Sequence, residues 1–364
     1  MTNLQAGVTV VICCHNGQKR IKRCLEHSLR LAPPDGNLPI EIVLVDNRSI
    51  DSTVEIAKAT AASINTHRLR IIREERKGVA FARESGILHA KYKALIFCDD
   101  DNLLDPNYAK IAWEVLRDHP TVAIVGGNSI AESEIELPPW FNDMAGQYAV
   151  QLVDYSGPLD STTNHWTAGM VARTEVLQQL IRTGFRPIGS TGLPGFSGSC
   201  GEDTELCLAV RHWNWNLYYE GGLLFTHVIS PDRLTRSFLI RQAQNFGAAS
   251  IANDATRLSN IQDWRNSIRL NIWYQLFRAS LALLAAISDR LREDPRSHRL
   301  SVWHSRWGRS RALWLNRSFY RNLVSDYRDW YLQNKPKESH QPWLGTIHAV
   351  EAMNAICDNR NDSC

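Results

Sequence analysis

The chain has 364 residues, of which 44% are hydrophobic and 22% charged, with a formal net charge of +3. That length buries a sizeable core; the composition excludes a disordered or fibrous chain, and so small a charge gives no argument for nucleic acid. The apolar run from Leu276 to Ile287 falls well short of the roughly 20 residues of a bilayer span, and no basic flank precedes the first apolar run, so a cytoplasmic protein without a signal peptide is expected.

Strand and helix signals alternate over the first 126 residues. "VTVVICC", ending at Cys14, is a continuous apolar strand, and Ile21, Cys24, Leu25, Ser28 and Leu29 then mark one helical face. "IEIVLVD", ending at Asp46, is the second strand, with Asp51 and Ser52 as candidate caps of the next helix. "LRIIRE" and "GVAFARESGILHA" follow as strand and helix, then "ALIFCDD" as the fourth strand, a helix from Asp105-Pro106 to about His119, and "TVAIVGG" as the fifth strand. Strands without polar alternation, joined by helices, imply a mostly parallel, Rossmann-like sheet covered on both faces, with ligands beyond the carboxyl ends of its strands. Past Gly127 the pattern loosens into Pro-, Gly- and aromatic-rich loops. "HWTAGMVART" reads as a strand with a helix from Thr174, and "NLYYEGGLLFTH" as a strand or hairpin. A glycine-rich stretch with Gly192, Gly195, Gly198 and Gly201 leads into a helix opening on Glu202-Asp203; it lacks a P-loop's lysine and reads better as a flexible lid. Residues 264–335 hold 14 Lys and Arg against 5 Asp and Glu, with six tryptophans among them, and form a helical region of separate purpose. Packed cap, peripheral membrane surface and nucleic-acid surface are its three readings, the last the weakest. The boundaries expected are 1–126, 127–250 and 251–364. Eight cysteines without CxxC or zinc spacing read as free buried thiols.

The strongest chemical signal is "CDDDNLLDP". Three adjacent carboxylates, Asp99, Asp100 and Asp101, repel one another unless something neutralises them, and a hard divalent cation sharing a substrate's phosphates would do so. An acidic helix start explains Asp105 but not the other three.

These stretches, with "EIVLVDNRSIDST", "AGMVARTEVL", "GEDTELCLAVRHWNWNLYYEGG" and the His-x5-Arg of "HVISPDR", together resemble glycosyltransferase family 2 over roughly residues 7–250. The resemblance implies the GT-A fold, inverting transfer from a nucleoside-diphosphate sugar, UDP-sugars being favoured, and Mn2+ or Mg2+ as cofactor. It places Cys13, Cys14, His15, Asn16 and Asp46 at the nucleobase, Gly78 and Arg83 near ribose and diphosphate, and Asp99 and Asp100 on the donor. It makes Asp101 the direct metal ligand, with Asp99 and His227 as further ligands. Asp203, paired with Glu202, becomes the general base, and Arg233 approaches the diphosphate. Cys13 departs from the family's usual Thr or Ser. The stretch "RQAQNFG" lacks the tryptophan and arginine that processive members carry, which implies one sugar added per encounter. Trp140 and Trp166 are candidates for stacking on a glycan, lipid-linked or other hydroxyl acceptor, or else loop anchors. A sugar-phosphate nucleotidyltransferase and a non-catalytic sugar- or membrane-binding adaptor are the rival readings. The first lacks its glycine-rich loop after strand one; the second would not need Asp101 or Asp203.

Overall fold

The computed structural model describes residues 4–34, 37–187, 201–258, 271–291, 297–315 and 317–334. Gly192, Gly195, Gly198, Cys200, Trp264 and the tail after residue 334 lie outside them. The apolar runs become the strands β1 (Gln5–Cys14), β2 (Ile40–Asp46), β3 (Leu69–Arg73) and β4 (Tyr92–Asp99), all parallel, in the order β3-β2-β1-β4. Beyond β4 the same sheet continues through β8 (Val171–Arg173), β6 (Val122–Glu132), β9 (Asn216–Val228) and β5 (Asn102–Leu104), with β7 (Ser156–Pro158) also on β9. Here β8, β5 and β7 run antiparallel to their neighbours, while β6 and β9 are parallel. The sheet is therefore mixed at this end. β6 crosses residue 126 without interruption, so one sheet carries both expected halves.

Because successive residues of a strand point to opposite faces, the apolar runs feed two cores. Val8, Val10, Ile12, Ile42 and Ile96 face α1 (Ile21–Leu29), α2 (Thr53–Ser63) and α4 (Tyr108–Asp118). Val11, Val43, Leu95 and Phe97 face α3 (Val79–His89), α6 (Thr174–Arg182) and α7 (Glu202–His212), along with parts of the C-terminal helices. A small third cluster gathers around Phe141, Met144 and Tyr148, at α5 (Phe141–Met144) and the 3-10 turn Ala145–Tyr148.

Local chemistry adjusts three of the expected elements. The strand expected from His165 begins only at Val171, because a turn closed by Met170 N–H on the Thr167 carbonyl (3.1 Å) occupies the start of that stretch. Asp105 does not cap the fourth helix at its first turn; its carboxylate accepts from Asn107 N–H (2.9 Å), and the helix starts at Tyr108. The stretch ending at His227 is one long strand and not a hairpin.

The C-terminal helices are α8 (Arg236–Leu258), α9 (Ile272–Leu291), α10 (Ser297–Leu315) and α11 (Arg317–Gln333). α8 lies near Gly201 at the head of α7, through Ala249, and crosses α10 backbone to backbone. A Cβ added at Gly247 would stand 1.8 Å from the Ser305 carbonyl oxygen, and one at Gly308 would stand 2.2 Å from that of Gln244. Gly247→Ala is therefore expected to cost about 1–3 kcal/mol, seen as a lower denaturant midpoint with an unchanged slope. A variant as stable as the parent would mean that the two helices do not cross there. α11 is tied back to α7 and to the segment after α6: Tyr327 O–H donates to Glu205, and Trp330 Nε1–H donates to the Thr183 carbonyl (2.9 Å). No described helix is long and apolar enough to cross a membrane. Among the described residues the cysteines are free thiols, four buried and Cys13 half-buried.

Candidate active site

The three adjacent aspartates lie where β4 ends, and each is met by its own arginine. Asp99 Oδ1 accepts from Arg83 Nη2 (3.2 Å); Asp100 is gripped by Arg20 through Nε (3.0 Å) and Nη2 (2.8 Å); Asp101 Oδ2 accepts from Arg233 Nη1 (3.1 Å). The three arginines come from three different elements, so the carboxylates diverge and their mutual repulsion is offset pairwise. Asn102, fully buried, shapes the turn: its Oδ1 accepts from Asp99 N–H (3.1 Å), and its Nδ2 donates to Asp101 Oδ1 (3.3 Å).

The middle aspartate faces inward. Asp100 is buried, both its oxygens are held by Arg20, and Cys14 Sγ donates to it at 3.1 Å. Gly17 closes over it so tightly that a Cβ there would lie 2.5 Å from Asp100 Oδ2 and 2.3 Å from Cys14 Sγ. Asp100 and Cys14 thus fasten α1 to the end of β4.

Asp101 and His227 meet through strand pairing. β5 lies antiparallel to β9, with Asn102 opposite His227, and Val228 N–H donates to the Asp101 carbonyl (2.9 Å). His227 Nδ1–H donates to the Tyr148 carbonyl (2.6 Å), which leaves Nε2 facing Asp101 Oδ2 at 3.5 Å, with Arg233 Nη1 3.4 Å away. The Tyr148 hydroxyl in turn donates to the Arg233 carbonyl (2.8 Å). A histidine whose one nitrogen is anchored on a carbonyl, and whose other nitrogen faces a carboxylate oxygen, has the orientation of a metal-binding imidazole; among the described residues no third His, Cys, Asp or Glu joins the pair. The guanidinium of Arg233 marks the place where positive charge is wanted. Burial raises the Asp101 carboxyl, but His227 and Arg233 outweigh it and hold it below the usual range. Tyr148 had no signal in the sequence, since it sits in an irregular stretch.

Arg83 joins this side to the next. From α3 it reaches Asp99 with one nitrogen and Glu202 Oε1 with another, and it is buried between them. Glu202 Oε2 is buried with no hydrogen-bond partner among the described residues, beside an apolar cavity of about 250 Å³ lined by Phe81, Phe97, Leu177, Phe185 and Leu206. Asp203 follows in the first turn of α7, where its Oδ1 accepts from Thr204 N–H (2.7 Å). Burial, then the neighbouring Glu202 charge, push its carboxyl up to about 6. Removing Arg83 as Arg83→Met would leave Glu202 buried and unpaired; a loss of about 3–5 kcal/mol is expected, measured by chemical denaturation. A loss under 1 kcal/mol would show that the bridge is not formed.

The loop after β1 carries the candidate base contacts. His15 Nδ1–H donates to the Asn47 carbonyl (2.7 Å), and Asn16 accepts from Ile50 N–H (3.0 Å) through its side chain. Cys13, half-buried, stands opposite Asp99 in the β1–β4 register, its thiol pushed up to about 12 by burial. Asp46 is buried, with Oδ1 accepting from Ser49 N–H (2.9 Å) and Oδ2 from Arg73 (2.9 Å). Asn47, which the sequence reading missed, donates to the Glu74 and Arg76 carbonyls (3.1 and 2.7 Å) and accepts from Gly78 N–H (2.8 Å). It therefore pins the stretch that leads into α3 and Arg83. Trp140 packs on the small cluster that holds Tyr148, and Trp166 faces Gly146 in the same region. The chain thus brings Asp99, Asp101, Arg83, Glu202, Asp203, His227 and Arg233 to one end of the sheet.

Residues 9–169 match the family model described as Glycosyl transferase family 2. The fold is GT-A: mannosyltransferase PcManGT from Pyrobaculum calidifontis, in complex with GDP-Man and Mn2+, superposes with a TM-score of 0.50 at 18% identity, covering 92% of this chain and 90% of that one. Among curated relatives, EpsH of Bacillus subtilis (strain 168) is 30% identical over 145 residues, and the chain spans only 40% of its length. A Methanococcus voltae protein is 26% identical over 256 residues, 66% of this chain and 72% of that one. It is named dolichyl N-acetyl-alpha-D-glucosaminyl phosphate 3-beta-D-2,3-diacetamido-2,3-dideoxy-beta-D-glucuronosyltransferase.

Proposed function

We propose that the protein is a metal-dependent, inverting glycosyltransferase that moves one sugar per encounter from a nucleoside-diphosphate sugar, UDP-linked by preference, to a hydroxyl acceptor in polysaccharide or glycoconjugate assembly. The observation that carries this reading is the pairing of Asp101 Oδ2 with His227 Nε2 around a positive charge, at the same sheet end as a carboxylate whose pKa is raised to about 6. Asp101 and His227 would hold Mn2+ or Mg2+ together with the donor's own phosphate oxygens, and the cation when bound supplies positive charge to the departing diphosphate. Arg233, on the same carboxylate, adds a second positive group for that charge. Asp203 takes the acceptor hydroxyl's proton as the new C–O bond forms on the anomeric carbon and the bond to the diphosphate breaks behind it. A carboxylate with a pKa near 6 is ionised at neutral pH yet basic enough for that transfer. Arg83 holds Glu202 and Asp99 in register between the two halves of the reaction.

The name of the Methanococcus voltae relative supports a lipid-linked acceptor, and the location proposed is the cytoplasm, peripheral at the inner face of a membrane. The test is a thermal-shift panel of UDP, GDP, TDP and CDP, each with Mn2+ and with chelator. A ligand at 100 times its Kd adds about 2.7 kcal/mol. One nucleotide is expected to stabilise the protein only with metal. Stabilisation by none of them would overturn the donor-site reading and leave the adaptor in its place.

A further inference from the structure

Helix α9 carries its large apolar residues on the wrong side for a packed surface helix. Gln275, Ala279 and Ala282 are buried, and at about 100° per residue they share one face. Trp273, Phe277, Leu281, Leu284 and Ile287 share the opposite face, where they are 72, 59, 48, 63 and 47% exposed. Surface helices of soluble domains present the reverse pattern, and a contiguous apolar stripe of this kind marks a contact. The neighbouring α10, joined to α9 where Arg306 Nη1 donates to the Arg278 carbonyl (3.1 Å), adds exposed Trp307 and Trp314.

Charge decides what covers the stripe. The stretch 264–335 carries 14 Lys and Arg against 5 Asp and Glu in its sequence, and on α9 itself Arg278 is exposed beside the stripe, its guanidinium over the Tyr274 ring at 5.9 Å. A second copy would bring like charge against like charge. Anionic lipid supplies the opposite sign, and each basic residue near such a surface is worth about 1 kcal/mol. Tryptophan with arginine suits the headgroup layer, and no described helix can span. We propose that the outer face of α9 docks on an anionic lipid bilayer, with Trp273, Phe277, Leu281, Leu284 and Ile287 at the acyl boundary and Arg278 among the phosphates. This surface goes beyond the transferase reading and does not depend on it.

The test is co-sedimentation of the full chain with vesicles of phosphatidylcholine alone and of phosphatidylcholine mixed with phosphatidylglycerol, at low and high salt. The parent is expected to sediment with the mixed vesicles, more weakly at high salt, and little with phosphatidylcholine alone. Phe277→Glu with Leu284→Glu is expected to weaken that binding by about tenfold or more, with the melting temperature and the nucleotide-induced shift unchanged. Absence of binding by the parent to the mixed vesicles overturns the proposal, as does equal binding by the variant. A parent dimer that the variant converts to a monomer, without vesicle binding by either, assigns the face to a second copy instead. A failure here leaves the nucleotide panel untouched, so the two readings fall separately.

Discussion

Asp203→Asn is expected to lower kcat by about 10²–10⁴ while leaving metal-dependent nucleotide binding as it was. The substitution keeps the oxygen that accepts from Thr204 N–H and removes only the ability to take a proton. The pH profile makes the assignment specific. Burial and the Glu202 charge raise the carboxyl to about 6, so the parent's kcat/KM should fall about tenfold per unit below that pH and level off above it. That limb should be missing from whatever activity the variant retains. Stability runs the other way. A carboxyl whose folded pKa lies above its unfolded value stabilises most below the unfolded value, and that contribution is lost as pH rises through about 6. At neutral pH the fold is therefore holding a charge it disfavours, and the neutral amide should melt no lower than the parent. An inactive variant that also melts well below the parent would point to a structural role. A fully active one would move the base to another group, the adjacent Glu202 being the first to substitute next.

Much of the first half could be read from the amino-acid order, because its strands are uninterrupted apolar runs with both faces buried and their ends are marked by Asp46 and Asp99. Glu202-Asp203 was legible for a similar reason: acidic residues after a glycine-rich stretch announce the start of a helix. The division of labour inside the aspartate cluster was not. Adjacent residues in a turn point in different directions, and which one meets which arginine depends on partners 16, 80 and 132 residues away. The sequence reading gave Asp100 to the donor, whereas Arg20 and Cys14 close around it. The antiparallel pairing of β5 with β9, which sets His227 beside Asp101, belongs to the mixed end of the sheet, where no βαβ pattern dictates strand order. Tyr148 and Asn47 act through a carbonyl, a hydroxyl and an amide on distant backbone, and such bonds leave no periodic trace. In α9 the spacing shows two faces, but only packing tells which one is outside.

Asp101→Asn is expected to abolish the metal-dependent part of nucleotide binding and to reduce transfer by about 10³ or more, since a bound cation is worth several kcal/mol to a leaving diphosphate. The amide keeps the shape of the turn and removes the charge that faces His227 Nε2 and Arg233. It should also cost stability at neutral pH, about 1–3 kcal/mol, because the pair it weakens is largely buried, Arg233 and Asp101 being 25 and 16% exposed. The sign of the pH effect agrees. Asp101 is lowered from the ordinary carboxylate range, so its stabilisation is present above the unfolded value and is lost only as pH falls through the lowered one. Asp100→Asn is the internal control. It breaks the two-pronged grip of the buried Asp100 on Arg20, so it should lower the melting temperature while leaving the dependence of nucleotide binding on Mn2+ in place. Were both variants blind to metal, or both to keep its effect, the separation of the cluster into one cation ligand and one buried anchor would be wrong. Distinct phenotypes from neighbouring, chemically identical residues can come only from the different directions in which the turn at Asn102 points them.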